Sequence, residues 1–238
     1  MCVVTLLPLP GGFVLTSNRD EHVSRPAAIP PQTYSIDGHS ITFPKDPQGG
    51  GTWLATFGTI TVCLLNGAFV NHVHQPPYRR SRGLVVLDYF DTADPRQFID
   101  SYDFSGIEPF TMVIAHNEPK ALAVHELRWN GEQIYHREMP AKQPHIWSSV
   151  TLYSLPAAEL RKSWLVEFLY HHPHYTADDL FRFHQTAGDG NPDHDFVMNR
   201  GIVRTVSLTQ VNQTANEQFI RYADLVSREE MQLSLELA

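Results

Sequence analysis

Short β-rich runs set between Pro/Gly turns, helical periodicity in the second half and a composition able to fill a core together point to an α+β fold. The expected order is strands, helices, strands, helices, strands, which suits one α+β or layered domain spanning residues 1–238. Hydrophobic residues make up 42% of the 238-residue chain and charged residues 18%, enough for a sizeable core and too apolar for disorder. No repeat, low-complexity block or linker interrupts it.

Cys2–Leu7 and Gly12–Ser17 are β-rich and separated by Pro8, Pro10, Gly11 and Gly12, the pattern of a hairpin. A proline-rich loop over Arg25–Pro31 leads to a weak strand near His39–Phe43 and a second loop over Pro44–Gly51. Thr52–Phe57 and Thr59–Leu65 read as another hairpin turning at Gly58, with Thr59, Ile60, Thr61 and Val62 favouring strand over helix. Helices follow at Leu84–Phe90 and at Asp94–Ser101, where Asp94 can cap and Pro95 opens the first turn. Phe110–Ala115, Ala121–Leu127 and Gln133–Glu138 form a meander, with a further strand at Ile146–Val150. Leu160, Trp164, Leu165, Phe168 and Leu169 recur at helical spacing within Pro156–His171. Thr176–Gln185 carries an N-cap Thr176 and an Asp179 three residues on, a loose capping box. A Gly/Asp-rich loop over Ala187–Asp195 precedes two closing strands, Ile202–Val211 and Gln218–Tyr222.

Composition narrows the function. Lys and Arg number 18 against 26 Asp and Glu, a net charge of −8 that argues against a non-specific nucleic-acid binder. No apolar run approaches the ~20 residues that span a bilayer. The first residues, MCVVTLLPLPGG, lack a basic leader and a small-residue cleavage site, so a cytoplasmic protein is expected. Two cysteines, Cys2 and Cys63, cannot make a disulfide framework or a four-cysteine zinc site.

Cys2 is the first candidate for chemistry. Methionine before a small second residue is usually trimmed, leaving a free α-amine on the cysteine. That amine titrates near ~7.7–8.0 and the thiol near ~8.5, so one residue can supply both base and nucleophile. The other reading is a small hydrophobe opening a buried strand. Asn18-Arg19-Asp20-Glu21 falls at the end of the second predicted strand, and pairing of the first two strands returns it near Cys2. Arg19 would favour thiolate and Asp20 could hold the α-ammonium, whereas a solvated turn with local ion pairs would do little.

These residues carry a resemblance. MCVVTLL, SNRDE followed by Ser24-Arg25-Pro26-Ala27, and Gly50–Ala55 (GGTWLA) resemble the NRDE family, also called the transport and Golgi organisation protein family. Leu65-Asn66, Ser81-Arg82-Gly83 and Arg204-Thr205 fit further short motifs of it. The resemblance implies a four-layer αββα sandwich of the N-terminal-nucleophile hydrolase type, akin to bile-salt hydrolases and penicillin acylases. It implies Cys2 as nucleophile with Arg19 and Asp20 beside it, Asn66 as oxyanion donor and Arg204 as a late site arginine. Asn18, Glu21, Trp53, Arg82 and Ser149 are the expected substrate-binding residues. Asn66-Gly67 is also a turn dipeptide, and Ser149 stands where the family tends to show a second Asn. A hydroxyl there can donate one hydrogen bond but is shorter than an amide.

Two functions are therefore expected. One is a cysteine amidohydrolase or acyltransferase acting on the C–N bond of a non-peptide amide or on an acyl substrate. The other, implied by the family, is a non-catalytic binding or trafficking protein handling lipid, acyl-CoA or haem, with Trp53, Phe57, Phe69 and Tyr78 lining an apolar pocket. Thirteen histidines offer haem ligands without selecting one. The expected partner is a small molecule, anionic or acyl-bearing if Arg19, Arg82 and Arg204 converge. No cofactor and no metal are expected. His72-x-His74 and His171-His172-x-His174 show no carboxylate partner at ligand spacing and flank prolines, so they read as loop histidines. Asp189–Asp195 lacks the EF-hand register and closing Glu and reads as surface loop. Gly49–Gly51 has no following Gly-Lys-Ser/Thr; its glycines let the backbone pass close to the Cys2 site. Cys63 is expected in the core.

Overall fold

The computed structural model describes residues 3–118 and 121–235. Cys2, with the roles expected of it, lies outside the described residues. The chain begins with a hairpin, β1 (Val3–Leu9) and β2 (Gly12–His22). β3 (Ile29–Ile36), β4 (His39–Lys45), β5 (Leu54–Phe57) and β6 (Ile60–Asn66) follow, then the short helices α1 (Arg82–Asp88) and α2 (Pro95–Ser101). β7 (Phe110–Glu118), β8 (Ala121–Trp129) and β9 (Ile134–Met139) form the meander, and β10 is His145–Ser148. Helices α3 (Leu155–His171) and α4 (Ala177–Thr186) precede β11 (Val203–Gln213), β12 (Gln218–Asp224) and β13 (Glu229–Ser234). The α+β expectation holds, with antiparallel sheets dominating.

Two compact units divide the chain. One combines the residues up to Arg25 with Lys142–Leu235; the other is Pro26–Ala141. The first holds a six-stranded sheet in the order β10-β1-β2-β11-β12-β13. Its strands alternate faces, as period-2 geometry requires. Val3, Leu7 and Val14 pack with Leu165 of α3, Leu180 and Phe183 of α4, and Phe196. α4 opens on the complete capping box: Thr176 Oγ1 accepts from the Asp179 amide while Asp179 accepts from the Thr176 amide. Asp94 caps α2 as expected, accepting from the Gln97 amide at 2.8 Å.

The second unit is a seven-stranded sheet in chain order, β3 to β9. α1 lies against β5 and β6. Cys63 is fully buried in β6, as expected.

Three expectations need correction. Of the expected proline loop, Arg25–Ala28 is irregular but Ile29–Pro31 opens β3, because an edge strand tolerates Pro30 and Pro31, and a register irregularity between Ile29 and Gln32 absorbs them. β13 was missed because it is a mostly exposed strand whose alternation rests on two half-buried residues, Met231 and Leu233, among polar ones. β2 runs on to His22, so Asn18-Arg19-Asp20-Glu21 is strand and not turn.

Candidate functional site

The N-terminal hairpin sets the site in the first unit. Val3 pairs with Asn18 on one side and with Ser148 on the other. Beyond β2, Arg19 faces Ser207, Asp20 faces Thr205 and Glu21 faces Arg204 on β11, with a bulge between Thr205 and Ser207. A bulge at such a point re-aims side chains along the strand. Asn18, Arg19 and Asp20 are 0%, 2% and 2% exposed, which overturns the solvated-turn reading.

Because they lie in a strand, these four residues divide between two faces. Asn18 and Asp20 point to the helix side. The Asn18 amide donates to the carbonyls of Phe196 (2.8 Å) and His184 (3.2 Å), and its Oδ1 meets His184 Nδ1 at 2.5 Å. That orientation makes His184 Nδ1 the donor, leaving Nε2 to accept from Thr5 Oγ1 at 2.7 Å. Burial, with the nearby Arg161 charge adding to it, drives the His184 pKa down to about 3, so the ring is neutral at pH 7. Asn18 thus ties β2 to α4.

Asp20 accepts from Thr205 Oγ1 at 2.6 Å and from Tyr153 Oη. The Tyr153 ring is covered by the Arg161 guanidinium, 3.5 Å from its centroid. Arg161 is wholly buried and donates to the carbonyls of His194 (2.9 Å) and Asp195 (2.7 Å). Burial first, then the Asp20 charge, raises the Tyr153 pKa, so its hydroxyl remains a donor. Anion, ring and cation thus stack beneath the sheet.

Arg19 and Glu21 share the opposite face and form an ion pair at 3.2 Å, with Arg25 3.6 Å from the same carboxylate. Arg204 sits across from Glu21, and its buried Nε makes no hydrogen bond among the described residues. Ser149, 1% exposed, follows β10, its hydroxyl 3.0 Å from that of Thr151.

Trp53, Asn66 and Arg82 belong to the second unit. Trp53 is 2% exposed before β5, and Asn66 ends β6 opposite Phe110. Arg82 opens α1, donates to the Pro109 carbonyl at 3.1 Å and pairs with Glu108 at 2.9 Å. Gly51 passes against Gly83 at the start of α1. Of the four aromatics expected to line a pocket, Phe69 borders a hollow of about 430 Å³ with Arg128 and Tyr135. Sequence reading missed Tyr153, Arg161, His184 and Glu108. The available signal for Arg161 was a charge spaced i, i+4 from Leu165 on the core face of α3. The donor atoms of Asp189, His194 and Asp195 lie within 4.8 Å of one another on an outer loop, a cluster able in principle to hold a cation.

The family model for transport and Golgi organisation 2 matches residues 1–228. The chain belongs to the transport and Golgi organisation 2 family. The match takes in every motif residue above and stops just before β13. No curated protein matches the chain. Among the described residues of this family member, no helix is long and apolar enough to cross a membrane.

Proposed function

We propose that this family member is an N-terminal cysteine amidohydrolase or acyltransferase, with one catalytic domain of the N-terminal-nucleophile hydrolase type, a four-layer αββα sandwich. The observation that supports it is the register at Val3. Arg19 and Ser149 occupy the next positions outward on the two strands flanking β1, and Cys2 is the next residue in sequence. A buried guanidinium in that neighbourhood favours thiolate.

In the proposed reaction, the α-amine of Cys2 takes the thiol proton and the sulfur attacks the carbonyl of an amide. The C–N bond breaks, the leaving amine collects the proton, and a thioester remains. Water, or an acceptor amine in acyl transfer, then attacks the thioester and returns the thiol. Ser149 is the proposed hydrogen-bond donor to the oxyanion, a role that contributes roughly 3–4 kcal/mol where measured. Arg204 is the proposed contact for an anionic or acyl-bearing substrate.

The test is labelling with an electrophilic thiol probe. Cys63 is fully buried in the native fold, so the wild type should gain one adduct, on Cys2, and Cys2→Ala none. Intact mass should show Met1 removed. Equal labelling of both proteins, or retention of Met1, would overturn the proposal. The Phe69–Arg128–Tyr135 hollow favours the second reading, a non-catalytic carrier of an acyl or lipid-like ligand, which needs no free amine.

A further inference from the structure

We propose that the hollow on β8 and β9 binds a small aromatic carboxylate. The proposal rests on the carrier reading and names its ligand, a compact ring-bearing monoanion in place of an acyl chain. Pairing of β8 with β9 sets Arg128 across from Tyr135 and Glu126 across from Arg137. Successive strand residues alternate faces, so these four side chains share one side of the sheet. Phe69, from the irregular segment after β6, completes the wall of the hollow of about 430 Å³. That volume lies at the small end of the ~300–1,000 Å³ typical of small-molecule pockets.

The hollow is preformed. Arg128 donates to the Ala68 carbonyl at 2.6 Å. The Gly67 amide donates to the Pro109 carbonyl at 2.9 Å, and the Gly67 carbonyl accepts from Thr111 Oγ1 at 2.9 Å. Further along, His72 is held by Glu108 at 3.0 Å, so Phe69 lies between two fixed points. Its ring meets that of Tyr135 edge to face, with centroids 5.0 Å apart and planes at 86°. Both rings remain near half exposed, at 48% and 44%. Together they offer a flat ligand both a face and an edge. A flexible chain would lose rotamer freedom on binding there, whereas a rigid ring has none to lose.

Charge selects the other end of the ligand. Glu126, with 7% of its side chain exposed, pairs with Arg128 at 2.8 Å and with Arg137 at 3.6 Å. His136, which also borders the hollow, bonds His125 at 3.1 Å on the other side of the sheet. Two guanidinium groups therefore face one carboxylate, leaving a single positive charge. The Arg137 contact is too long for a hydrogen bond and its side chain is 66% exposed, so its donors are accessible to a ligand. Arg128 lies 5.1 Å over the Phe69 ring, and its buried Nε makes no hydrogen bond among the described residues. That unpaired donor adds to the positive potential. A monoanion matches this balance. A doubly charged phosphate would exceed it beside Glu126, and a cation would meet two arginines.

The experiment is calorimetric titration of the full-length protein with 2-naphthoate near neutral pH. 2-Naphthylmethanol and 2-naphthylmethylamine present the same ring on a neutral and a cationic ligand, and dodecanoate presents the carboxylate on a chain. The wild type should bind one equivalent of 2-naphthoate, the alcohol and dodecanoate about 10-fold more weakly, and the amine not at all. Arg137→Gln, altered at an exposed side chain, should weaken 2-naphthoate about 10-fold and leave the alcohol unchanged. Phe69→Ser should weaken both, and Cys2→Ala should bind like the wild type. No binding of either acid would overturn the carrier reading together with this site. Tighter binding of dodecanoate than of 2-naphthoate would keep the carrier and overturn the aromatic acid. Equal affinity for acid and alcohol, 2-naphthoate binding undiminished by Arg137→Gln or Phe69→Ser, or its loss in Cys2→Ala would each overturn the site.

Discussion

His184 is a base that the fold holds uncharged, and that has a measurable consequence. Its folded pKa is about 3 against ~6.5 in an unfolded chain. Between those values the unfolded state binds the extra proton, so stability rises with pH. The contribution is complete above pH 6.5 and is lost as pH falls towards 3, on the order of 5 kcal/mol in all. Urea unfolding followed from pH 7.5 to pH 4 should therefore show a steep decline. The variant His184→Asn, weaker overall because Thr5 and Asn18 lose a partner, should show a distinctly shallower one. Identical pH slopes in the two proteins would refute the neutral buried imidazole. The same residue shows what a sequence hides. His184 lies on a helix expected from its capping signal, yet nothing local announces that it meets Thr5 and Asn18, each more than 160 positions away. Asn18-Arg19-Asp20-Glu21 was visible as a polar cluster, but its division between two faces required knowing that β2 continues to His22.

Backbones rather than side chains control how α1 begins. A Cβ added at Gly51 would lie 2.2 Å from the carbonyl carbon of Gly83, far inside van der Waals contact. The Thr52 amide donates to that same Gly83 carbonyl at 3.0 Å, and Thr52 Oγ1 donates to the Pro44 carbonyl at 2.6 Å. Gly51→Ala must push the loop off α1 and break this anchor, an overpacking loss expected at ~3 kcal/mol or more. Gly58→Ala is the control: it carries φ +53° with nothing within 4 Å, so only backbone strain of ~1–2 kcal/mol applies. Chemical denaturation of both variants tests this, and equal losses would sink the steric argument. Elements with local signals were legible: the caps Asp94 and Thr176, the Gly58 turn and the α3 periodicity all follow from neighbouring residues. β3 and β13 were not, because an edge strand lacks the two-sided burial that writes a hydrophobic pattern into sequence.

At the scale of the whole chain, its two ends are unequal. The first 25 residues supply β1 and β2, and β2 lies between β1 and β11 in the middle of the six-stranded sheet. Without them β10 and β11 each lose their inner partner, and Leu165, Leu180 and Phe183 lose Val3, Leu7 and Val14. The residues from Glu229 onward supply only β13, an edge strand paired with β12 alone and largely exposed. The family match also ends at residue 228. A chain ending at Arg228 should therefore keep a cooperative urea transition, with a loss limited to one edge ladder and the Arg221–Glu230 ion pair, about 1–2 kcal/mol. A chain starting at Pro26 should lose the cooperative transition of the first unit, because its central strand cannot be replaced by residues further along. Adding the Cys2–Arg25 peptide in trans should restore that transition, since β1 and β2 make their sheet contacts through backbone pairing with β10 and β11. If instead the Arg228 truncation unfolds and the Pro26 truncation does not, the sheet's stability rests on its edge, and the central role given to the N-terminal hairpin is wrong.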